Sequence, residues 1–254
     1  MRNGVLSSIS KVEARLRAME VEDSVSRTGL SGWNLTARIY SWTSGPLSHP
    51  LDSDLLSYLG NATEGAVVAD CGCGPGMVTL RLVAKGAAKV CAIDVSSEML
   101  EQVGEDPCIV TLQSTMEDLP LNRLRESEAR DGFDLVLFKR SLYMNRSEAL
   151  QVLKNAYGHL CPGGRIVVVH PEKKLGRYIF GSPLRLRRYT IPHLVNRTSN
   201  RLGVLLGVEK YALYTREELI ALAGEVAGPE RVELIPSTQQ AFNLVAILRM
   251  ADEG

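Results

Sequence analysis

After residue 60 the apolar positions of the chain alternate between two rhythms. Short, mainly apolar stretches occur at Ala66 to Ala69, Val90 to Ile93, Ile109 to Leu112, Phe133 to Phe138 and Arg165 to His170. Such runs are too short for helices and are apolar on both faces, which predicts buried parallel strands. Between them the spacing turns helical. Val78, Leu80, Leu82 and Val83 predict a helix from Met77, with Pro75 suited to its start, where a missing N–H costs nothing. Leu150, Leu153 and Tyr157 predict a second helix over Ser147 to Leu160, with Gly163-Gly164 as its breaker. Leu121 to Arg130 reads as a charged helical or loop connector. Thr215 with Glu218 three residues on reads as a capping box opening a further helix, and Val232 to Ile235 and Phe242 to Leu248 read as two last strands. Ahead of residue 60, Leu6, Ile9, Val12, Leu16 and Met19 predict an amphipathic helix, and Asp52 to Leu59 resumes helical spacing. Strands alternating with helices predict an α/β fold.

The first strand stops at Asp70 and breaks into Cys71-Gly72-Cys73-Gly74-Pro75-Gly76. Glycines there let the backbone turn sharply and approach a ligand, so strand, glycine turn and helix form a nucleotide-binding unit. Met77 stands where the dinucleotide fingerprint G-x-G-x-x-G needs its last glycine, which argues against NAD and FAD. The chain has no G-x-x-x-x-G-K-[ST], so a phosphate cradle of the P-loop kind is excluded. The second strand ends at Asp94, about 20 residues downstream, where a carboxylate meets ribose hydroxyls.

Composition sets the bounds. A chain of 254 residues that is 45% hydrophobic suits one elaborated α/β domain. Its formal charge is zero, so the molecule as a whole gives no electrostatic reason to expect nucleic acid. No apolar run approaches the ~18 residues that span a bilayer. Lys11, Glu13, Arg15 and Arg17 make the N-terminus unlike a secretory signal, and a cytoplasmic protein is expected. Five cysteines, without a C-x-x-C pair, suggest neither a disulfide framework nor a zinc site, and no metal is expected. Cys91 and Cys108 read as small core residues of strands.

Five stretches in order then carry a resemblance: Asp70-x-Gly72-x-Gly74-x-Gly76, Asp94-x-Ser96-x-x-Met99-Leu100, Glu117-Asp118-Leu119-Pro120, Phe133-Asp134-Leu135-Val136 and Leu160-Cys161-Pro162-Gly163-Gly164. Over about Tyr40 to Met250 the chain resembles the class I methyltransferases that use S-adenosyl-methionine and release S-adenosyl-homocysteine. The resemblance implies a Rossmann-like, seven-stranded, mostly parallel sheet with helices on both faces. It divides the chain into an N-terminal helical extension, 1–60, and a methyltransferase domain, 61–254, in which 171–216 is a helical lid insert. By the same resemblance Asp70 orients the ammonium end of the cofactor, and Gly72, Cys73 and Gly74 admit its methionine part. Asp94, with Val95 beside it, accepts the ribose hydroxyls, Met99 packs near the adenine, and Tyr40 closes over the methionine end. Thr115, Met116 and Glu117 line the adenine pocket, although relatives often have an acid where this chain has Thr115, whose hydroxyl accepts from the adenine amino group more weakly. Phe138 lies at the end of the fourth strand, where relatives put residues between cofactor and substrate. The following Lys139 to Met144 lacks the motifs of base methylases.

The insert 171–216 bears on the substrate. It holds ten cations against Glu172 and Glu209, a net of plus eight that the remainder must balance. With its aromatics, it reads as a lid over an anionic small molecule, a surface for anionic lipid, a groove for RNA, or a solvated helical face. Tyr178, Arg187, Arg188 and His193 are its candidate substrate contacts. Tyr143 and His170, after the fourth and fifth strands, are the candidate bases, needed for transfer to a hydroxyl and much less for an amine or thiol. The expected function is methyl transfer to a small, anionic or amphipathic metabolite, in a protein compatible with a homodimer. Two alternatives stay open. The bound cofactor serves a non-methylating reaction such as a cyclisation, or the chain is a non-enzymatic cofactor-binding protein whose basic insert binds lipid, RNA or a protein partner.

Overall fold

The computed structural model of the chain describes residues 52–116, 118, 121, 132–171, 212–235 and 242–248. Helix α1 (52–59) leads through a 3-10 turn, Gly60–Thr63, into β1 (Val67–Cys71), α2 (Met77–Ala84), β2 (Lys89–Asp94), the single turn α3 (Ser97–Leu100) and β3 (Ile109–Gln113). Then follow β4 (Phe133–Lys139), α4 (Arg146–Gly158), β5 (Leu160–Pro171), α5 (Arg216–Ala227), β6 (Val232–Ile235) and β7 (Phe242–Leu248). The strands form one sheet in the order β3-β2-β1-β4-β5-β7-β6. The first five pair in parallel, and β7 runs antiparallel to both β5 and β6. The order reverses between β1 and β4, the switch point beyond whose strand ends open α/β sheets bind ligands.

Side chains along a strand alternate between faces, and the sheet has a separate core on each. Val67, Ala69 and Cys71 of β1, with Val136, Phe138, Ile166 and Val168, pack under α4 and α5 through Val152, Leu153, Leu219 and Leu222. Val68, Val90, Leu135, Leu137, Val167 and Val169 face the other way, onto Leu55 and Leu59 of α1 and Val78 and Leu82 of α2. Helix α1, which the sequence groups with the N-terminal extension, is thus a layer of the sheet domain. The same alternation fixes the faces at the strand ends. Asp70, Asp94 and Lys139 continue the α1–α2 face, and His170 continues the α4–α5 face.

Local departures from the sequence reading have physical causes. Helix α2 starts after Gly76, which is its N-cap at φ 77, so Pro75 stands before the cap and outside the first turn. A Cβ on Gly76 would lie 2.9 Å from a methyl of Val103. Helix α4 starts one residue earlier than expected, because Asn145 and Glu148 form the capping box. Strand β5 starts at Leu160 and runs through Gly163-Gly164, where the register against β4 shifts, so the expected breaker is an irregularity inside a strand. A side chain on Gly164 would meet the Phe133 carbonyl oxygen at 2.7 Å. Thr215 and Glu218 form the expected capping box of α5. The connector after Leu121, most of the insert and residues 1–51 lie outside the described residues.

Candidate functional site

The glycine turn at the end of β1 crosses onto β2. The N–H groups of Gly72 and Cys73 both donate to the Ile93 carbonyl, at 2.7 and 3.0 Å. Gly72 sits at φ 75, and a Cβ there would lie 2.3 Å from Ser141 Cβ and 2.9 Å from Met116 Cε. Glycine is therefore required for the turn to approach both the loop after β4 and the one after β3. Ser141 ties its own loop to the turn, its hydroxyl donating to the Cys71 carbonyl at 2.6 Å.

Asp70 is buried at the β1 terminus, where the Thr79 hydroxyl donates to its Oδ2 at 2.7 Å. Burial is the main influence on its carboxyl and pushes the pKa up to about 6, against the Thr79 bond and the positive charge of Lys139. Asp94, at the end of β2, accepts the Gly74 N–H on Oδ2 at 2.8 Å and the Ser96 N–H on Oδ1 at 3.0 Å. Burial raises its pKa too, and these backbone N–H groups oppose the rise. A carboxylate offers about four lone-pair sites, so the N–H groups of Ser96, Gly74 and Val95 leave it able to accept a further hydroxyl. Val95 adjoins it, its carbonyl taking the Gln113 amide at 3.0 Å. Met99 is buried under the same turn, its N–H capped by Ser96 Oγ at 3.2 Å. Burial raises the Cys73 thiol pKa well above its ordinary value, and Sγ donates to the Gly74 carbonyl at 3.4 Å.

The Thr115 hydroxyl is already engaged. It donates to Asp118 Oδ2 at 3.2 Å and accepts the Asp118 N–H at 3.1 Å, so Asp118, which the sequence reading left among motif letters, brings a carboxylate to this loop. Phe138 is fully buried on the α4–α5 face.

A second group lies at the ends of β4 and β5. His170 is fully buried, with ring centres 5.5 Å from Tyr143 and 5.2 Å from Tyr214. Its Nε2 accepts the Tyr214 N–H at 3.2 Å, which places the ring proton on Nδ1, a nitrogen without a hydrogen-bond partner among the described residues. Burial alone lowers its pKa to about 4. The Tyr214 hydroxyl donates to the Met144 carbonyl at 2.6 Å and the Ala212 N–H to the Tyr143 carbonyl at 2.8 Å, so the end of the insert is fastened to the loop after β4. No sequence motif marks Tyr214.

A third group was not legible in the sequence. Lys139, at the end of β4, forms an ion pair with Asp52 at the start of α1, and Arg81 of α2 reaches the same carboxylate at 2.8 Å. Tyr40, Glu117, Tyr178, Arg187, Arg188 and His193 fall outside the described residues. Among the described residues no group of three or more His, Cys, Asp or Glu side chains is arranged to hold a metal ion, and no helix is long and apolar enough to cross a membrane.

Comparison with known proteins agrees with the fold. Residues 68–164 match the family model described as a methyltransferase domain. Among solved structures, the chain is similar to DhpI in complex with SAH, at 16% identity and a TM-score of 0.60, covering 89% of this chain and 97% of that one. It is also similar to an O-methyltransferase family protein from Burkholderia thailandensis, at 16% identity and TM-score 0.57, covering 87% of this chain and 59% of that one. A third similar structure is the S-adenosylmethionine-dependent methyltransferase SibL in its apo form, at 18% identity and TM-score 0.54, covering 80% of this chain. The chain spans 59% of the Burkholderia protein and 56% of SibL. No curated protein matches it in sequence.

Proposed function

We propose that this chain, whose residues 68–164 match a methyltransferase-domain model and whose sheet has the class I fold, binds S-adenosyl-methionine and moves its methyl group to a small, anionic or amphipathic metabolite. The observation that carries the reading is the pair of buried carboxylates across the glycine turn. Asp94 keeps acceptor capacity for a ribose hydroxyl beside its backbone N–H bonds, and Asp70 lies where a cation offsets its burial. Gly72, Cys73 and Gly74 form the wall between them, Val95 and Met99 flank the Asp94 end, and Met116 reaches back to Gly72. With Thr115 turned to Asp118, recognition of an adenine amino group in this reading falls to Thr115, Met116 and Asp118, and Glu117 stays a candidate from the sequence.

Bound there, S-adenosyl-methionine supplies a methyl group on a sulfonium, whose in-line transfer asks for alignment and exclusion of water more than for acid–base help. Of the two candidate bases, Tyr143 is the one we keep for handling an acceptor's proton. Because Nε2 of His170 is given to Tyr214, we assign His170 the part of a neutral ring behind Tyr143 and Tyr143 the contact with substrate. In the same reading Tyr40 of the N-terminal extension closes over the methionine end of the cofactor, and Tyr178, Arg187, Arg188 and His193 of the basic insert meet an anionic substrate.

The test is incubation of the purified protein with methyl-labelled S-adenosyl-methionine and a metabolite extract of its host, followed by mass spectrometry. A labelled product together with S-adenosyl-homocysteine is expected and names the acceptor class. Calorimetry showing no binding of S-adenosyl-methionine would overturn the proposal.

A further inference from the structure

Lysine is seldom buried, because its ammonium loses hydration unless a partner replaces it. Lys139 is such a case, its side chain only 10% exposed, and the partner is Asp52, 0% exposed and shared with Arg81. Burial lowers the Lys139 pKa, while Asp52 and then Asp70 favour its charged form. Strand alternation explains why Lys139 meets Asp70 at all. Asp70 pairs with Leu137 in the β1–β4 register, so Lys139 lies two residues further along the neighbouring strand, on the same face. From strand geometry, that step and one strand spacing separate their backbones by about 8 Å. The two side chains thus bring one anionic and one cationic group to the C-terminal edge of the sheet, beside the glycine turn and at the switch point.

Along this face the charges alternate as Arg81, Asp52, Lys139 and Asp70. A lone cation beside Asp70 would leave Lys139 facing added positive charge, and a lone anion beside Lys139 would oppose Asp70. A ligand end carrying both charges satisfies both. We propose that Lys139 is a carboxylate-binding residue which, with Asp70, recognises the α-amino-acid zwitterion of a ligand, and that Asp52, held by Arg81, is the positioning residue that keeps the Lys139 ammonium in place. This rests on the reading of the site as one for S-adenosyl-methionine, whose methionine end is such a zwitterion.

Two probes separate this inference from the reading beneath it. S-adenosyl-homocysteine carries the amino-acid end, and 5′-methylthioadenosine keeps the adenosine and sulfur without it. In calorimetric titrations of the full chain, Lys139→Met is expected to weaken S-adenosyl-homocysteine by about 10- to 100-fold, the range for hydrogen bonds to charged groups, and to leave 5′-methylthioadenosine within twofold. Since Lys139→Met leaves Asp52 buried with Arg81 alone, the double variant Asp52→Asn/Lys139→Met, which removes both charges, is measured beside it and is expected to discriminate in the same way. Lys139→Arg should recover part of the lost affinity. Equal loss for both nucleosides, or unchanged S-adenosyl-homocysteine affinity in the double variant, would overturn the role of Lys139 while the cofactor reading stands. Wild-type protein that bound neither nucleoside would overturn both.

Discussion

The two faces of the sheet end, at the same edge, in opposite kinds of site. On the α1–α2 face, Asp70, Asp94 and Lys139 form a charged array whose members are met by Thr79, backbone N–H groups and Asp52. On the α4–α5 face, His170 lies between Tyr143 and Tyr214, and burial is the one influence on its titration. Both faces bury an ionisable group and drive it towards its neutral form, so Asp70 rises to about 6 and His170 falls to about 4. What differs is the provision for charge. The first face holds counter-charges that a ligand can join. The second surrounds its ring with aromatic groups and uses it as an acceptor for a backbone N–H. Burial alone therefore does not mark a catalytic group, and the partners on each face decide the chemistry.

The largest expected effect comes from breaking the wall of the charged face. In Gly72→Ala the new Cβ would adopt a left-handed backbone, costing about 1–2 kcal/mol, and press on Ser141 and Met116, costing about 1–3 kcal/mol more. Chemical denaturation should show a total loss of about 2–5 kcal/mol. A loss below about 1 kcal/mol would mean that the loop holding Ser141 gives way freely.

Acidity sharpens the contrast through opposite slopes. Folded Asp70 holds its proton more tightly than the unfolded chain does, so its contribution to stability is full below about pH 4 and is lost as pH rises through about 6. Folded His170 holds its proton less tightly, so its contribution is full above about pH 6.5 and is lost as pH falls through about 4. Across pH 4 to 6 the two oppose each other, with Lys139, Asp94 and Asp52 as the charges acting on Asp70. Asp70→Asn should expose a stability that rises with pH by up to about 3 kcal/mol, and His170→Gln one that falls by a similar amount. Denaturant titrations at stepped pH measure both. An Asp70→Asn profile parallel to wild type would remove Asp70 as a titrating group.

Asp94→Ala tests the charged face by affinity. S-adenosyl-methionine binding should weaken by about 1.5–3 kcal/mol, the range for hydrogen bonds to a charged group. Unchanged affinity by calorimetry would take Asp94 out of the site.

The contrast between faces also explains what the sequence discloses. Buried parallel strands are written as mainly apolar runs, so the five parallel strands stand out, and the two last strands complete the expected seven-stranded sheet. Asp70 and Asp94 stand out because each ends such a run beside turn residues. Lys139 does not, since its meaning depends on Asp52, 87 positions away, and on which helix covers that face. Alternation says that residues 70 and 139 share a face and is silent about α1 lying across it. His170 is visible as a strand-end histidine, but its acceptor role comes from Tyr214, 44 positions later, beyond the insert. Asp118 was hidden because a hydroxyl-to-carboxylate bond within a loop has no periodicity to announce it. Even the Gly163-Gly164 pair, read as a stop, is a register shift that only the Phe133 partner strand reveals.

The smallest expected effect concerns how the aromatic face is anchored. The N-caps of α4 and α5, Asn145 and Thr215, directly follow Met144 and Tyr214, the two residues joined by the Tyr214 hydroxyl, and each forms a capping box. Thr215→Ala removes the acceptor of the Glu218 N–H and should cost about 1 kcal/mol, the usual worth of an N-cap, in denaturant unfolding. No comparable change is expected on the charged face, so Asp94-dependent ligand affinity should stay as in wild type. A cost of nearly zero would mean that the Tyr214–Met144 and Ala212–Tyr143 bonds hold the start of α5 unaided. In that case the aromatic cluster, and not the cap, fixes where the chain returns from the basic insert to the sheet.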